Sequence, residues 1–381
     1  MKRFLAILTG ICLAAGCAGA EAAGTEEKAL ELAGSSLRFP AVSGMEDEAL
    51  QEEVNRRIRE DLRIEEYVQR LNALISDGER HMTVSWTGGV LGDVFSAALE
   101  AEGAVRGGRD THERQGSCVD LRDGREIALG ELFADEAAGR EALEAYLEEK
   151  AAPELSPHLS NASLTPLPER FLLERTGLTL LYGAEQLSTL SDRAGAVKIG
   201  WNEIREVLDR SPEGIPERIG AGKMMNLTEE SPARIREMTE AGQFPDLPVR
   251  LGDSVKEWTD RLRLLTDPDE YAGGRMFAPE SAPFRNVYLL SDAVDSGWEQ
   301  SRVQGIRMDR GCVWGLCIGE TRAEEWRRIL GEPDTTAHLD PEEAELRRTV
   351  PGDCDYYQFG EHRLQLQADE EGLLAGITLA E

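Results

Sequence analysis

The chain has 381 residues, enough for two or three domains, and a formal net charge of −30 at pH 7. Nucleic-acid binding needs basic patches against phosphate, so this charge argues against a nucleic-acid partner. A cationic protein is the partner that such a field attracts, although solubility alone also explains the charge.

Residues 1–16 have the composition of a secretory leader, with two basic residues before a short apolar run. The run is too short to cross a membrane. It ends in Leu13-Ala14-Ala15-Gly16-Cys17, which resembles a bacterial lipobox. We therefore predict a lipoprotein signal peptide, a lipid on Cys17 and a place on the extracytoplasmic face of the cell membrane. An ordinary signal peptide cleaved after Ala18 or Ala20 is the alternative.

Four cysteines follow the lipobox: Cys118, Cys312, Cys317 and Cys354. Outside the cytoplasm a disulfide is permitted, and we expect one among the last three. It joins either Cys312 to Cys317 or one of the two to Cys354. Cys118 is then expected to remain a free thiol that packs as a small apolar side chain. No histidine spacing supports zinc, and we predict no metal or cofactor.

Residues 17–35 are small and acidic, and we predict that they form a flexible tether. An edge strand is predicted over 37–42, because Pro40 is tolerated only at a sheet edge. Apolar residues then recur every four positions from Leu50 to Leu62, which predicts a helix. Two further strands, near 82–86 and 94–101, are predicted to be joined by a turn at Gly88-Gly89.

The stretch 117–133 predicts a strand, a tight turn, a short strand and the start of a helix. Val119 and Leu121 alternate with polar neighbours, and Asp123-Gly124 supplies the turn. Further along, a helix is predicted over 138–150. A hairpin turned at Thr176-Gly177 and a strand over 197–201 complete this part.

The order of these pieces resembles the extracellular domain of the RsiV anti-sigma factor family, over residues 36–210. Three runs carry the resemblance: Phe39-Pro40-Ala41-Val42-Ser43-Gly44, Val119 to Arg125, and Phe171 to Ile199. The resemblance implies an envelope recognition module, and in one branch of the family this domain senses lysozyme. The family's Tyr-Thr-Gly-Gly-Ala-His-Gly run is replaced here by Gly107 to His112. Arg109 and His112 in that run are candidate ligand contacts.

Residues 211–244 are rich in proline and glycine near their start, and we predict a linker. The remainder, 245–381, contains an internal repeat. Gly252 and Gly319 open two similar amphipathic runs and are 67 residues apart. Ile306 and Ile377 lie in matching last strands and are 71 residues apart.

Each repeat is predicted to be a helix followed by an antiparallel meander. This resembles the tandem repeats of the β-lactamase-inhibitor-protein-like fold, whose concave sheet often binds protein. The predicted fold class is α+β, with antiparallel sheets and packed helices in two domains.

No catalytic motif was found: His112-Glu113 lacks the second histidine of a zinc-protease motif, and no Gly-x-Ser-x-Gly elbow is present. Trp298, beside Ser296-Gly297, is predicted to be exposed and is a third candidate ligand contact. We expect a lipid-anchored, non-catalytic recognition module for an envelope protein or peptidoglycan. The alternatives are an inhibitor of an extracellular hydrolase and an envelope hydrolase whose carboxylate pair the sequence does not reveal.

Overall fold

The computed structural model describes residues 23–32, 34–77, 81–103, 111–152, 164–183, 195–262, 264, 269–272, 274–279, 287–292, 297 and 300–381. These residues form helices and mainly antiparallel sheets, which confirms the α+β class. The chain divides into two compact units. The first takes the chain up to residue 174 with 178–197 and 206–220, and the second takes 175–177, 198–205 and 221–381.

The first unit is built on a five-stranded sheet in the order β1-β2-β3-β4-β5. Its strands are β1 Gly24–Leu32, β2 Ser35–Ser43, β3 Met82–Leu91, β4 Val94–Gly103 and β5 Thr111–Asp120. Its first helices are α1 Glu48–Asp61, α2 Ile64–Asp77 and α3 Glu136–Tyr146. A three-stranded sheet, most of which lies in this unit, follows: β6 Arg170–Glu174, β7 Gly177–Leu181 and β8 Ala196–Gly200.

Helix α1 forms where the four-residue apolar spacing predicted it. The side chain of Asp47 accepts a hydrogen bond from the backbone N–H of Leu50 (3.0 Å) and caps the first turn. Val54, Ile58 and Leu62 are fully buried against the sheet. Burial of this single stripe fixes the face that α1 turns toward the core.

Two predictions about the first strands are wrong. Residues 24–32, placed in a flexible tether, form strand β1, which pairs with β2 from Gly24–Ser43 to Leu32–Ser35. Strand β2 is therefore not the edge of the sheet. Its proline is tolerated because the β2–β3 ladder covers only Ser36 and Leu37, so Pro40 lies where β2 has one partner strand.

The hairpin between β3 and β4 turns later than predicted. Leu91 pairs with Val94, so the two-residue turn is Gly92-Asp93, and Gly92 has a φ of +63°. Gly88 and Gly89 lie inside β3. A Cβ atom at Gly88 would stand 2.2 Å from the carbonyl oxygen of Ser96, so close strand approach explains the first glycine.

The end of β5 carries a buried ion-pair network. Asp120, 1% exposed in its side chain, accepts hydrogen bonds from both terminal nitrogens of Arg218 (2.8 and 2.7 Å). Burial alone would raise the pKa of Asp120, but hydrogen bonds from Arg218 and Arg122 hold it well below its usual range. This stabilisation is complete above about pH 3.9 and is lost as the pH falls through the lowered pKa.

The turn predicted at Asp123-Gly124 is present, with Gly124 at a φ of +75°. After it, Val119 makes a single bridge to Glu126, and Leu129–Leu132 is a 3₁₀ turn where a short strand was predicted. A π-helical turn, Leu147–Ala151, follows α3.

Residues 211–244, predicted as a linker, contain three helices: α4 Ile215–Arg218, α5 Ala221–Met225 and α6 Ser231–Glu240. Two of the residues that suggested a linker, Gly214 and Pro216, lie at the start of a helix. Gly214 is the N-cap of α4 and Pro216 lies in its first turn, where a missing N–H costs no hydrogen bond. Ile235 of α6 is fully buried in the core of the second unit.

The second unit is built on an eight-stranded antiparallel sheet in the order β15-β16-β17-β18-β12-β11-β10-β9. Two helices, α7 Val255–Leu262 and α8 Ala323–Leu330, belong to it. Its first four strands are β9 Asp269–Tyr271, β10 Gly274–Phe277, β11 Val287–Ser291 and β12 Gly305–Met308. The last four are β15 Thr335–Leu339, β16 Gly352–Phe359, β17 His362–Ala368 and β18 Leu374–Ala380.

The predicted repeat is visible in the pairing of β12 with β18. Arg307 lies opposite Thr378, 71 residues later, and this is the offset between Ile306 and Ile377. The same offset relates Ile306 to Ile377 and Met308 to Leu379. The repeat therefore converts the flanking pair Ile306–Leu379 into the other flanking pair, Met308–Ile377. The two meanders are therefore related by a local twofold axis, and they join through their last strands.

Backbone hydrogen bonds repeat as well. The N–H of Gly252 donates to the carbonyl oxygen of Val303 (2.8 Å), and that of Gly319 donates to the carbonyl oxygen of Leu374 (2.7 Å). Both glycines have positive φ, +82° and +81°. Each bond ties the start of a helix to the strand that ends its own repeat, so the two copies fold alike.

A disulfide joins Cys312 to Cys317, one of the pairings that the sequence left open. The bridge closes a hairpin of β13 Cys312–Val313 and β14 Leu316–Cys317. Both turn residues have positive φ, Trp314 at 52° and Gly315 at 88°, a turn that favours Asn-Gly. Gly315 donates to the carbonyl oxygen of Met224 in α5 (2.8 Å), which holds the hairpin against that helix.

We expect Arg218→Ala to lower the free energy of unfolding of the first unit by about 3 kcal/mol, because Asp120 is left buried without its main cation. Chemical denaturation at pH 7, followed by circular dichroism, measures the change. Arg56→Ala is the matched control, since Arg56 pairs with Glu53 and Glu60 on the exposed side of α1 and should matter little. Equal losses in the two variants would contradict the network.

Cys312→Ser with Cys317→Ser should destabilise the second unit by about 2 kcal/mol, because a short closed loop is opened in the unfolded chain. Thermal unfolding with and without dithiothreitol measures this. Reductant should lower the unfolding temperature of the wild type and leave the double variant unchanged. Cys354→Ala, which removes a buried free thiol, should keep the wild-type response to reductant. A wild type that is insensitive to reductant would refute the bridge.

Candidate functional site

The two faces of the eight-stranded sheet differ in chemistry. One row of paired residues is apolar and packs on the helices: Leu289, Ile306, Leu379, Leu364 and Tyr357. The neighbouring row is polar or aromatic and points the other way: Tyr288, Arg307, Thr378, Gln365, Tyr356 and Thr335. We call the face that carries the second row the open face.

An inserted segment, residues 340–351, makes the two repeats unequal. It separates β15 from β16, whereas only residues 272 and 273 separate the corresponding strands β9 and β10. The segment contains helix α9, Pro341–Leu346. Asp340 caps the helix by accepting from the backbone N–H of Glu343 (2.8 Å), and Pro341 occupies its first position.

The inserted segment lies across the open face. Arg307, at the centre of the sheet, donates to the carbonyl oxygens of Arg347 and Arg348, both at 2.8 Å. Ala272, in the turn after β9, donates to the carbonyl oxygen of Leu346 (3.1 Å). The segment thus starts at one edge strand of the sheet and reaches the turn beside the other.

This reach shows that the sheet is curved. Eight strands laid flat would set β15 and β9 about 34 Å apart. The chain from Leu339 to Leu346 passes through a helix only about 9 Å long. The open face is therefore concave, and the inserted segment fills part of the hollow.

Arg307 holds the inserted segment in place. Its side chain is 6% exposed, pairs with Asp309 (Nε to Oδ1, 3.0 Å) and lies 5.0 Å from the ring centroid of Tyr288. Burial raises the pKa of Asp309, although Arg307 opposes that shift. One cation thus binds a carboxylate, an aromatic ring and two carbonyl oxygens of the segment.

A cavity of about 530 Å³ opens beside the inserted segment. One wall comes from β9 and β10, with Glu270, Tyr271 and Arg275. The other comes from the inserted segment, with Glu342, Glu345, Leu346 and Arg348. Its volume is in the range of small-ligand sites, about 300–1,000 Å³.

The inserted segment exposes two apolar side chains, of which Leu346 lines the cavity. Leu346 is 62% exposed and Val350 is 44% exposed. In the part of the chain that the structure describes, these are the two large hydrophobic side chains that stand exposed, and both lie on the inserted segment. Exposed apolar side chains grouped beside a cavity are typical of binding surfaces.

The charges of the cavity are largely uncompensated. Among the described residues, no cation pairs with the carboxylates of Glu342 and Glu345, which lie one turn apart on α9. Arg275 pairs loosely with Glu270 (3.7 Å). The guanidinium of Arg348 donates to the carbonyl oxygen of Glu270 (3.5 Å), and the backbone of Arg348 has a positive φ of 50°.

The structure does not describe the side chains of the ligand contacts proposed from the sequence. Cys17, Arg109 and Trp298 lie outside the described residues. His112 is placed only by its backbone, in β5 opposite Glu102, and its side chain is outside the description. Cys354 and Cys118 are buried free thiols. Within the described ranges, no three His, Cys, Asp or Glu side chains converge on a metal position.

Sequence reasoning missed the site because it did not separate α9 from the strands around it. The signal was present: Asp340, Pro341 and two glutamates form a helix start between two strands. No local pattern shows that Arg307 faces this helix, because the contact depends on the order of the strands.

No known protein family matches the chain, and no curated protein matches it. Among solved structures it is similar to a DUF3298 family member from Bacteroides fragilis, at 11% identity over 56% of this chain and 98% of that one, TM-score 0.39. A DUF3298 family protein from Pseudomonas aeruginosa shares 12% identity over 54% and 94%, TM-score 0.33. A DUF4309 family protein from Bacillus subtilis shares 11% over 40% and 97%, TM-score 0.26.

Likenesses this distant carry no argument about function. The resemblances to the RsiV domain and to the β-lactamase-inhibitor-protein-like repeats stay predictions. Among the described helices, none has the length and apolar character needed to cross a membrane.

We expect Arg307→Met to release the inserted segment, because the two carbonyl oxygens of Arg347 and Arg348 lose their donors. Trypsin should then cleave after Arg347 or Arg348 about tenfold faster, as local opening becomes easier. Arg363→Met is the control, since Arg363 is exposed and its guanidinium lies over the ring of Tyr356 on the same face. Equal cleavage rates, with circular dichroism unchanged, would contradict the assigned role.

Proposed function

We propose that this protein is an extracytoplasmic recognition protein that binds an envelope protein or cell-wall ligand without converting it. The observation that carries the proposal is the inserted segment, which builds a cavity on a concave sheet face, lines it with Leu346 and also exposes Val350. The disulfide between Cys312 and Cys317 supports an oxidising compartment. The leader before Cys17 supports attachment to the membrane by a lipid.

An inhibitor of an extracellular hydrolase is the second candidate. Two features favour it. The open face is curved, and the net charge of −30 would attract a cationic hydrolase. Assays of cationic hydrolases with added protein test it. Unchanged activity of every enzyme in the panel would remove this candidate.

The recognition proposal predicts that the purified protein is retained by immobilised lysozyme or by insoluble peptidoglycan. Leu346→Asp with Val350→Asp should reduce retention about tenfold, because two charges replace the exposed apolar side chains of the inserted segment. Thr336→Asp is the control, since Thr336 is exposed on β15 and its side chain points away from the open face.

Retention is measured by co-sedimentation for peptidoglycan and by surface plasmon resonance for lysozyme. Retention of the wild type by neither probe would contradict the proposal. Equal loss in the Thr336 control would also contradict it, because the effect would then come from added negative charge.

A further inference from the structure

The cavity arises from the difference between the two repeats. The eight-stranded sheet does not need residues 340–351 to form. The corresponding strands β9 and β10 pair with a connection of only two residues, whereas residues 340–351 connect β15 to β16. Arg348 also adopts a positive φ, which costs a non-glycine residue free energy. A costly addition that creates a cavity suggests that the cavity has a use.

Charges of both signs line the cavity, and each wall contributes both signs: Glu270 and Arg275 from β9 and β10, and Glu342, Glu345 and Arg348 from the inserted segment. Glu342 and Glu345 present carboxylates from α9 that no cation neutralises within the described chain. Arg348 and Arg275 present guanidinium groups that are satisfied weakly, at 3.5 and 3.7 Å. A ligand with one charge would leave half of these groups without a partner.

Size and apolar surface narrow the ligand further. About 530 Å³ admits a ligand of a few residues and excludes a folded domain. Leu346 and Tyr271 also line the cavity and provide a surface for one apolar side chain. A short peptide with both charges and an aliphatic side chain matches all three properties.

We infer that the cavity binds short peptides that carry both a free ammonium group and a free carboxylate. The ammonium pairs with Glu342 and Glu345, the carboxylate accepts from Arg348 and Arg275, and an aliphatic side chain packs on Leu346. The inference rests on the proposed function and deepens it, since it assigns a ligand class to the same site. Charge-assisted hydrogen bonds at both ends give the selectivity.

The test uses the full chain and four probes in isothermal titration calorimetry. The parent probe is acetyl-Lys-Leu-Ala with a free carboxyl terminus, which carries one ammonium and one carboxylate. The other three acetylate the lysine amine, amidate the carboxyl terminus, or replace leucine by serine. We expect each change to weaken binding about tenfold.

Protein variants then locate each contact. Glu342→Gln with Glu345→Gln should bind the parent and the lysine-acetylated peptide equally, because the partner of the ammonium is gone. Arg348→Gln should likewise reduce the difference between the free and amidated carboxyl termini. Glu370→Gln with Glu371→Gln is the charge-matched control at an exposed turn and should discriminate as the wild type does.

Three results would overturn the inference. They are the absence of measurable binding of the parent probe, equal binding of all four peptides, and the same loss of discrimination in the control pair. A protein retained by lysozyme or peptidoglycan that fails here would keep the proposed function and lose only this ligand class. A protein that binds the peptides but neither larger probe would lose the recognition proposal as stated and keep this one.

Discussion

The antiparallel ladder between β12 and β18 is the interaction on which the second unit depends. Four residue pairs, from Gly305–Ala380 to Met308–Ile377, join two four-stranded meanders into one sheet. Without them each meander would present an unpaired inner strand, with its backbone N–H and C=O groups exposed to pairing with other chains. The ladder also places Arg307 at the middle of the sheet, where it can reach the inserted segment. The same ladder therefore forms the sheet and positions the side chain that holds the candidate site.

Duplication with one inserted helix explains why a symmetric scaffold has an asymmetric site. The two copies supply matching glycines, Gly252 and Gly319, and matching helices, so most of the second unit obeys the repeat. Residues 340–351 break it on one side only. The segment is held by a buried cation and by Gln367, which accepts from Thr349 (2.7 Å) and donates to the carbonyl oxygen of Val350. Those contacts make it part of the folded surface.

The sequence predicted what local patterns control. Apolar spacing located α1, Gly124 located its turn, and an offset of 71 residues identified the last strands of the two repeats as equivalent. Prediction from the sequence failed where contacts between residues far apart in the chain determine the structure. Acidic residues 24–32 form a strand because β2 is there to pair with them, and composition alone suggested a tether. The candidate site depends on two edge strands approaching each other, which no stretch of sequence encodes by itself.

Strand β1 starts at Gly24, and this start limits how far β1 could lie from a lipid on Cys17. If Cys17 carries the lipid, only seven peptide steps separate the bilayer surface from a paired strand of the first unit. A fully extended chain covers at most about 25 Å in seven steps. A lipid on Cys17 would therefore hold the start of β1 within that distance of the bilayer surface.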